Sequence, residues 1–354
     1  MFGYIYKNIL IFGILISSQA YAWGERGHDL ITKLAVRLLT QETKQTPIAK
    51  LFLQKENMLG HYSNVPDIVW RNRSDADKKA NAHTHYIDLE YLLPEAQADT
   101  DKMPQTVIAF LEQVKAKCQD SSLTCRNMKT KAEIFSVTGS GPFRVRQLTQ
   151  QLETLFKKVR LFEDNKDLSQ KNNLTHYIAT IDRTLLLAGL LSHFVGDLAN
   201  PNHTTQNYDG AKSGNRGIHA YFETLIVNSF SLNLDGELEQ FTQEHPPNFL
   251  NSQLSYLDIA WSLTKDSFNK NHIIFNIDKK YAQKQNKDQT ITRKPPKKVH
   301  KYFKDIIHDR MSAASHSLKR LWVKAWEKGN KPQFKYYKSF HYDTSPDFIY
   351  PNYK

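Results

Sequence analysis

Cysteine is scarce in this sequence. The chain of 354 residues has two, Cys118 and Cys125, and both lie in a polar segment. Neither resembles a zinc ligand, because the chain has no second cysteine pair. Their spacing favours a local disulfide that closes a short loop in an oxidising compartment, and two free thiols are the alternative.

Long apolar runs are also rare. Near the start, Lys7 precedes an apolar segment at 9–16, and Ala20-Tyr21-Ala22 forms a small-residue cleavage motif. This pattern is typical of a signal peptide over residues 1–22, so the mature chain is expected to begin at Trp23. No later run approaches about 18 uninterrupted apolar residues, the length that spans a bilayer. We therefore expect a soluble protein that is secreted or periplasmic.

Strand patterns and internal repeats are lacking too, and apolar residues recur instead at helical spacing. The expected fold is all-α, a single-domain helical bundle over residues 23–329. Within it, residues 279–304 carry ten Lys or Arg against one acid, which predicts a solvated basic loop. A separate amphipathic helix is predicted over 305–326. Residues 330–354 form an aromatic and basic tail that suits a membrane surface or single-stranded bases, or that packs across the domain.

The most informative stretch is 185–223. It holds three histidines and two acids, namely His193, Asp197, His203, His219 and Glu223. The first two and the last two are each four residues apart, which places each pair on one face of a helix. One such pair is more often a core residue or a surface ion pair. Two pairs and a third histidine in a largely apolar segment predict metal binding, because burying so many ionisable groups is costly unless they are paired or bind metal.

Further candidates precede this stretch. A new α-amine at Trp23 would be a metal ligand only after processing, and His28 follows it closely. Asp67, directly after a proline, has an ordinary explanation as a helix-start residue. His83 and His85 are both candidates, and their spacing does not choose between them.

A glycine-rich turn, Thr138-Gly-Ser-Gly-Pro-Phe, leads into Arg144. It is not a phosphate loop, because it lacks the required spacing and the Lys-Ser/Thr ending. A helix N-cap turn followed by solvated arginines is the favoured interpretation. Contact between Arg144 and a bound phosphate is the alternative.

Together these residues resemble the zinc-dependent phospholipase C and single-strand-specific nuclease superfamily. The shared features are an N-terminal Trp followed by His, a later Asp, His-Tyr-x-Asp, His-Phe-x-Gly-Asp-x-x-x-Pro-x-His and a final His-x-x-x-acid. They cover residues 23–223 here, with the helix over 305–326 as the closing one. The resemblance implies an all-α fold with three zinc ions (Zn²⁺) in a cleft.

The resemblance also implies which residues bind each ion. One zinc would be held by Asp67, His85, His193 and Asp197. The second would be held by His28, by Asp197 as a bridge, and by the α-amine and carbonyl oxygen of Trp23. The third would be held by His203, His219 and Glu223. His85 is favoured over His83, because Tyr-Ile-Asp follows it.

The implied chemistry is phosphodiester hydrolysis by a zinc-bound hydroxide, since two close cations lower the pKa of a bridging water. Asp67 is the candidate catalytic base. Asp88, the last residue of the His-Tyr-x-Asp segment, and Arg144 are candidate substrate-binding residues.

Two departures from the family patterns bear on the substrate. Glu223 as the last ligand and the short gap from His203 to His219 favour phospholipase C acting on phosphatidylcholine-like lipids. The Trp-Gly-x-x-Gly-His start is closer to the nucleases. The formal charge of +12 suits an anionic membrane, a nucleic acid or plain solubility. We therefore expect a phospholipid surface as partner, single-stranded nucleic acid as the alternative, and no obligate protein partner. A zinc-binding surface protein without catalysis is a third hypothesis.

Overall fold

The computed structural model describes residues 23–353 apart from 44, 93–102, 121–127, 232, 252 and 286–290. These residues form one all-α domain around a continuous apolar core, as predicted. The helices are α1 (Gly24–Glu42), α2 (Pro47–Gln54), α3 (Glu56–Tyr62), α4 (Val65–Ile68), α5 (Asp75–Ala82), α6 (Val107–Asp120), α7 (Lys131–Thr138), α8 (Gly141–Asn165), α9 (Lys171–Ala199), α10 (Ile218–Ala220), α11 (Val227–Ser229), α12 (Leu234–Glu244), α13 (Tyr256–Phe268), α14 (Asn271–Ile277) and α15 (Pro296–Lys328).

Two predictions fall at or beyond these limits. The signal peptide, residues 1–22, lies outside the described residues. Cys118 lies on α6, whereas Cys125 lies outside the described residues. The signal peptide and the local disulfide therefore stay predictions.

The helix α9 forms the centre of the domain. Every residue from Thr184 to Ala199 is buried, and the helix packs against α8, α15, α3 and α13. Among the described residues it is the one helix long and apolar enough to cross a membrane, yet 78% of its most apolar stretch is buried inside the protein. Because α9 is surrounded by other helices, its apolar sequence is explained by the core.

The helix α1 joins the start of the described chain to this core. Its apolar residues at helical spacing, including Leu30, Ile31 and Leu34, are buried, and the helix packs against α3, α9 and α15. The buried indole of Trp23 donates from Nε1 to the carbonyl oxygen of Gly196 at 2.8 Å. This bond fixes the beginning of α1 beside the last turn of α9.

The prediction of a solvated basic loop over residues 279–304 is wrong for the part of the segment that the structure describes. A π-helical turn, Asp278–Ala282, leads into β1 (Gln283–Gln285), which pairs antiparallel with β2 (Ile291–Arg293). Pro296 then begins α15, nine residues before the predicted start of that helix. Proline is well suited to the first turn of a helix, where its missing N–H costs no hydrogen bond.

The aromatic tail packs across the domain, the ordinary alternative for such a segment. Its side chains Phe334, Phe348, Ile349 and Tyr353 are buried. The indole Nε1 of Trp70 donates to the carbonyl oxygen of Pro346 at 3.1 Å. The tail thus completes the core next to the short helices α4 and α5.

Candidate metal centre

The last turns of α9 carry the residues around which the site is built. His193 and Asp197 lie one turn apart on the same face, and both are fully buried. Three groups of histidines and acids with converging ligand atoms lie at this end of the helix. We refer to them as the Asp67 group (Asp67, His85, His193), the His28 group (His28, His193, Asp197) and the Glu223 group (His203, His219, Glu223).

In the Asp67 group, backbone contacts orient the ligand atoms. His193 Nδ1 donates to the carbonyl oxygen of Ser63 at 2.7 Å, so the lone pair of its Nε2 faces the group. This Nε2 lies 3.0 Å from His85 Nδ1 and 3.8 Å from Asp67 Oδ1. A carbonyl partner on the other ring nitrogen is the usual way in which a metal-binding histidine is held.

The His28 group shares His193 and adds a residue from α1. His28 Nε2 lies 3.4 Å from Asp197 Oδ1, and its ring stacks on His193 with centroids 4.1 Å apart. A Cβ at Gly196 would lie 2.9 Å from His28 Nδ1, so the histidine needs a glycine at that position to approach α9.

Asp197 connects the two groups. Its Oδ1 faces His28, whereas its Oδ2 lies 2.9 Å from His85 Nδ1 and 3.3 Å from His193 Nε2. This is the arrangement that a carboxylate shared by two ions requires.

The Glu223 group lies beyond the end of α9. His203 is on a 3₁₀ turn, Pro201–Thr204, and Glu223 is on a π-helical turn, Tyr221–Ile226, that continues α10. His219 Nε2 lies 3.0 Å from His203 Nε2 and 2.8 Å from Glu223 Oε2. His203 Nδ1 donates to the carbonyl oxygen of His85 at 2.9 Å, which ties this group to the first one.

Burial dominates the protonation of these side chains. It raises the pKa of Asp67 to about 6 and the pKa of Asp197 and Glu223 to about 7. It lowers the pKa of His193 and His219 to about 4. Keeping three carboxylates ionised in this interior is therefore costly without added positive charge.

The donor sets fit metal ions. Ligands about 2.0–2.2 Å from one tetrahedral zinc lie about 3.3–3.5 Å from each other. The ligand atoms within the groups are 2.8 to 4.0 Å apart, and Glu223 Oε1 is buried with no hydrogen-bond partner among the described residues. A bound cation would offset the cost of the buried carboxylates. The three buried groups are thus able to hold metal ions.

A cavity of about 680 Å³ opens against these groups, with His85, His203 and His219 in its wall. The rest of the wall mixes cations, an acid and less polar side chains. It includes Arg71, Lys78, Asp88, Tyr86, Tyr208 and Val137.

Asp88 lies in this wall, where the prediction of substrate binding requires it. Burial raises the pKa of Asp88 well above its ordinary value, so its carboxyl group is able to donate as well as accept a hydrogen bond. Its role in substrate binding stays a prediction.

Arg144 is placed differently from the prediction. It is fully buried and donates from Nη1 to Gln147 Oε1 at 3.0 Å and from Nη2 to the carbonyl oxygen of Ile349 at 2.6 Å. It is neither solvated nor part of the cavity wall, because the tail covers it. A direct contact between Arg144 and substrate does not fit this position.

His83 also lies outside the groups. Its Nδ1 is 2.7 Å from Ser140 Oγ, and its ring stacks on Phe135. The structure therefore separates the two histidines that spacing alone left equivalent, and it brings only His85 to the metal centre.

The sequence analysis missed Arg71 and Asn200. Arg71 Nη2 lies 2.8 Å from Asp67 Oδ1, and Asn200 Nδ2 donates to Glu223 Oε2 at 3.0 Å. The spacing of four residues between Asp67 and Arg71 was a usable signal, because it is the spacing of a helical ion pair. No local pattern links Asn200 to Glu223, which is 23 residues away.

Trp23 lies beside the centre, although its main-chain atoms are engaged in part. Its carbonyl oxygen accepts a hydrogen bond from the amide of Gly27 at 3.2 Å. Its role as a metal ligand stays a prediction. Comparisons of the chain with protein-family models, with curated proteins and with solved structures found no match.

Proposed function

We propose that this protein is a zinc-dependent phosphodiester hydrolase, and that it acts as a phospholipase C on phosphatidylcholine-like lipids. The observation that carries the proposal is the pair of metal-binding groups joined by Asp197, with a third group beside them at one cavity. One structural ion needs about four ligands in a closed site. This centre offers more side chains than that, and it faces open space.

The proposed ligands are those of the three groups, with the main chain of a processed Trp23 added to the His28 group. When bound, zinc supplies Lewis-acid stabilisation of a phosphate oxygen and lowers the pKa of water. Imidazole and carboxylate are ligands that suit zinc, and no cysteine is needed.

The side chains around the ions have separate proposed roles. Arg71 and Lys78 place positive charge in the cavity wall, which favours binding of an anionic phosphodiester. Asp67 is proposed to accept the proton of the attacking water. The ion pair with Arg71 at 2.8 Å holds the Asp67 carboxylate in place.

A lipid headgroup fits the size and wall of the cavity. Its volume of about 680 Å³ lies in the range of about 300–1,000 Å³ that is usual for small-molecule sites. Val137 and Tyr86 provide less polar surface beside the cations. Glu223 and the short gap from His203 to His219 favour the same substrate class.

The second candidate is a single-strand-specific nuclease, and Tyr208 is the residue that favours it. This side chain is 54% exposed at the cavity, with its ring 5.5 Å from that of His219. An exposed aromatic ring next to a phosphodiester site is able to stack on a nucleobase.

A direct comparison of substrates tests the proposal. Protein processed to begin at Trp23 and loaded with zinc would be assayed in one buffer on phosphatidylcholine vesicles and on single-stranded DNA and RNA. We expect rapid release of phosphocholine and little cleavage of nucleic acid. The reverse result would identify a nuclease and reject the lipid assignment.

Metal analysis separates both enzymes from a zinc-binding surface protein without catalysis. We expect three zinc ions per chain. One tightly held ion, together with no hydrolysis of any phosphodiester, would support the non-catalytic hypothesis instead.

A further inference from the structure

The surface where the tail crosses α2 and the start of α3 combines exposed apolar side chains with lysines. Phe340 is 96% exposed and Leu53 is 47% exposed. Lys55 Nζ lies 4.8 Å from the centroid of the Phe340 ring. We define this surface as the tail face, formed by Lys50, Leu53, Lys55, Lys335, Lys338 and Phe340.

The tail face is fixed to the domain on both sides of Phe340. Lys55 Nζ donates to the carbonyl oxygen of Ser339 at 2.5 Å, and Ser339 Oγ donates to Asp182 Oδ2 at 3.2 Å. Beyond the phenylalanine, the amide of Asp343 donates to the hydroxyl of Tyr62 at 3.0 Å. Phe340 is thus held outward by ordered neighbours, so little conformational freedom is lost when the face docks.

The charge of the tail face is positive. Residues 47–58 and 331–342 contain five lysines and one acid, Glu56. That acid pairs with Arg37, which is 3.2 Å away and lies on α1. The partner that complements this face is therefore anionic.

We propose that the tail face docks on an anionic phospholipid bilayer, with Phe340 inserted at the headgroup level and the lysines on lipid phosphates. Interfacial binding elsewhere combines apolar insertion with Lys and Arg in this way. A bilayer is favoured over a nucleic-acid strand because Phe340 and Leu53 have no polar atom for a strand to contact. A strand also needs a row of rings, and Tyr337 is occupied by a hydrogen bond to Asp182 at 2.6 Å.

This inference deepens the proposed function, on which its biological meaning rests. From Phe340 the tail continues to Pro346, which accepts hydrogen bonds from Trp70 and Arg73. Those residues flank Arg71 in the cavity wall. A bilayer docked on the tail face would therefore lie near the mouth of the cavity where the headgroup is to be cleaved.

The test measures vesicle binding directly. Zinc-loaded wild-type protein, Phe340→Ser and the double variant Lys335→Glu/Lys338→Glu would be co-sedimented with phosphatidylcholine vesicles with or without phosphatidylglycerol. Lipid phosphate would be measured to show that the vesicles remain intact. We expect Phe340→Ser to bind the anionic vesicles at least about fivefold more weakly. The double variant should lose about fivefold or more per lysine, because each surface cation contributes about that much near an anionic bilayer.

Matched variants elsewhere on the surface serve as controls. Ile108→Ser removes an apolar side chain that is 70% exposed on α6, and Lys115→Glu/Lys284→Glu makes the same change in net charge at exposed positions. Both controls should bind vesicles within about twofold of the wild type, since neither lies on the tail face. Equal losses in the controls, or no loss in the tail-face variants, would overturn the proposal. A loss of oligonucleotide binding without a loss of vesicle binding would assign the face to nucleic acid and overturn it as well.

A soluble substrate separates this proposal from the proposed function. We expect the tail-face variants to hydrolyse a short-chain, monomeric phosphatidylcholine at the wild-type rate. If no variant and no wild-type protein cleaves that lipid while vesicle binding depends on Phe340, the phospholipase proposal fails and the tail face stands. If the lipid is cleaved but vesicle binding ignores Phe340, the docking face fails and the enzyme stands.

Discussion

Asp197 is buried in the last turns of α9, and its two oxygens face different histidines. Oδ1 is directed to His28 on α1, and Oδ2 is directed to His85 and His193. Glu223 has no such double position, because its contacts with histidine are to His203 and His219 of one group. The two carboxylates therefore differ in how many ions depend on them.

The variant Asp197→Asn tests this difference against Glu223→Asp. We expect Asp197→Asn to lower activity more than about 100-fold and to release two ions, since outer partners of metal ligands alone are worth about 10–100-fold. Glu223→Asp keeps a carboxylate and should cost about tenfold. Zinc content and kcat/KM would be measured on both proteins. Equal, small losses would refute the bridging role.

Single residues also show how far the sequence reached. His193 with Asp197, and His219 with Glu223, were predictable because helix geometry alone places such pairs on one face. Arg144 was not, since its burial depends on the carbonyl oxygen of Ile349, 205 residues further along the chain. Local patterns contain no information about contacts of that kind.

At the scale of elements, the hairpin β1–β2 supports the Glu223 group from outside. Arg293 on β2 binds the buried Asp278 with both ends of its guanidinium, at 2.8 Å and 2.9 Å. The same side chain donates to the carbonyl oxygens of Asn215 at 2.7 Å and Arg216 at 3.0 Å. It therefore holds the loop that leads into His219.

We expect Arg293→Gln to destabilise the protein by about 3–5 kcal/mol, because it leaves the buried Asp278 without its cation. It should also weaken the zinc ion of the Glu223 group, since the loop before His219 loses two hydrogen bonds. Urea unfolding and zinc titration would measure the two effects.

The matched control is Arg160→Gln, which removes an exposed pair with Asp164 at 2.7 Å. Surface pairs contribute about 0–1 kcal/mol, so this variant should remain close to the wild type. Similar stabilities for the two variants would show that the hairpin does not support the loop.

The hairpin also shows why a whole element escaped prediction. Residues 279–304 are rich in lysine and poor in apolar side chains, which is the composition of a solvated loop. They are ordered, where described, because Arg293 pairs with Asp278 and because Tyr221 donates to the carbonyl oxygen of Lys294 at 2.7 Å. Composition reports average solvation, whereas this order comes from a few specific bonds.

For the molecule as a whole, the metal centre is a junction between distant segments. Its ligands come from α1, α4, the segment after α5, the end of α9, and the chain from His203 to Glu223. Ions bound there would join these segments in the folded state and not in the unfolded chain. Metal binding should therefore contribute to folding.

Removal of zinc is expected to lower the Tm of the full chain by at least about 5 °C. A ligand present at about 1,000 times its Kd stabilises a protein by about 4 kcal/mol, and each kcal/mol shifts the Tm of a large domain by about 2 °C. Calorimetry with and without a chelator, followed by zinc addition, would measure it. An unchanged Tm would contradict a role for the ions in joining the segments.

The position of Trp23 makes the start of the mature chain a further test. Its indole is fully buried and bonded to Gly196, next to Asp197. We expect a tag before Trp23 to abolish activity, because the α-amine would be lost as a ligand. Cleavage of the tag to expose Trp23 should restore both activity and zinc content in the same sample. Full activity before cleavage would reject the α-amine ligand.

The tail that completes the core has a consequence for the speed of folding. Trp70 meets Pro346 across 276 residues and Arg144 meets Ile349 across 205, while the first described helix packs against the last. Contacts between such distant positions slow the search for the native state, because long loops must close before the contacts form. During synthesis, Trp70 and Arg144 stay uncovered until the last segment of the described chain is available. The enzyme should therefore acquire its native packing late, and only after nearly all of the chain has been made.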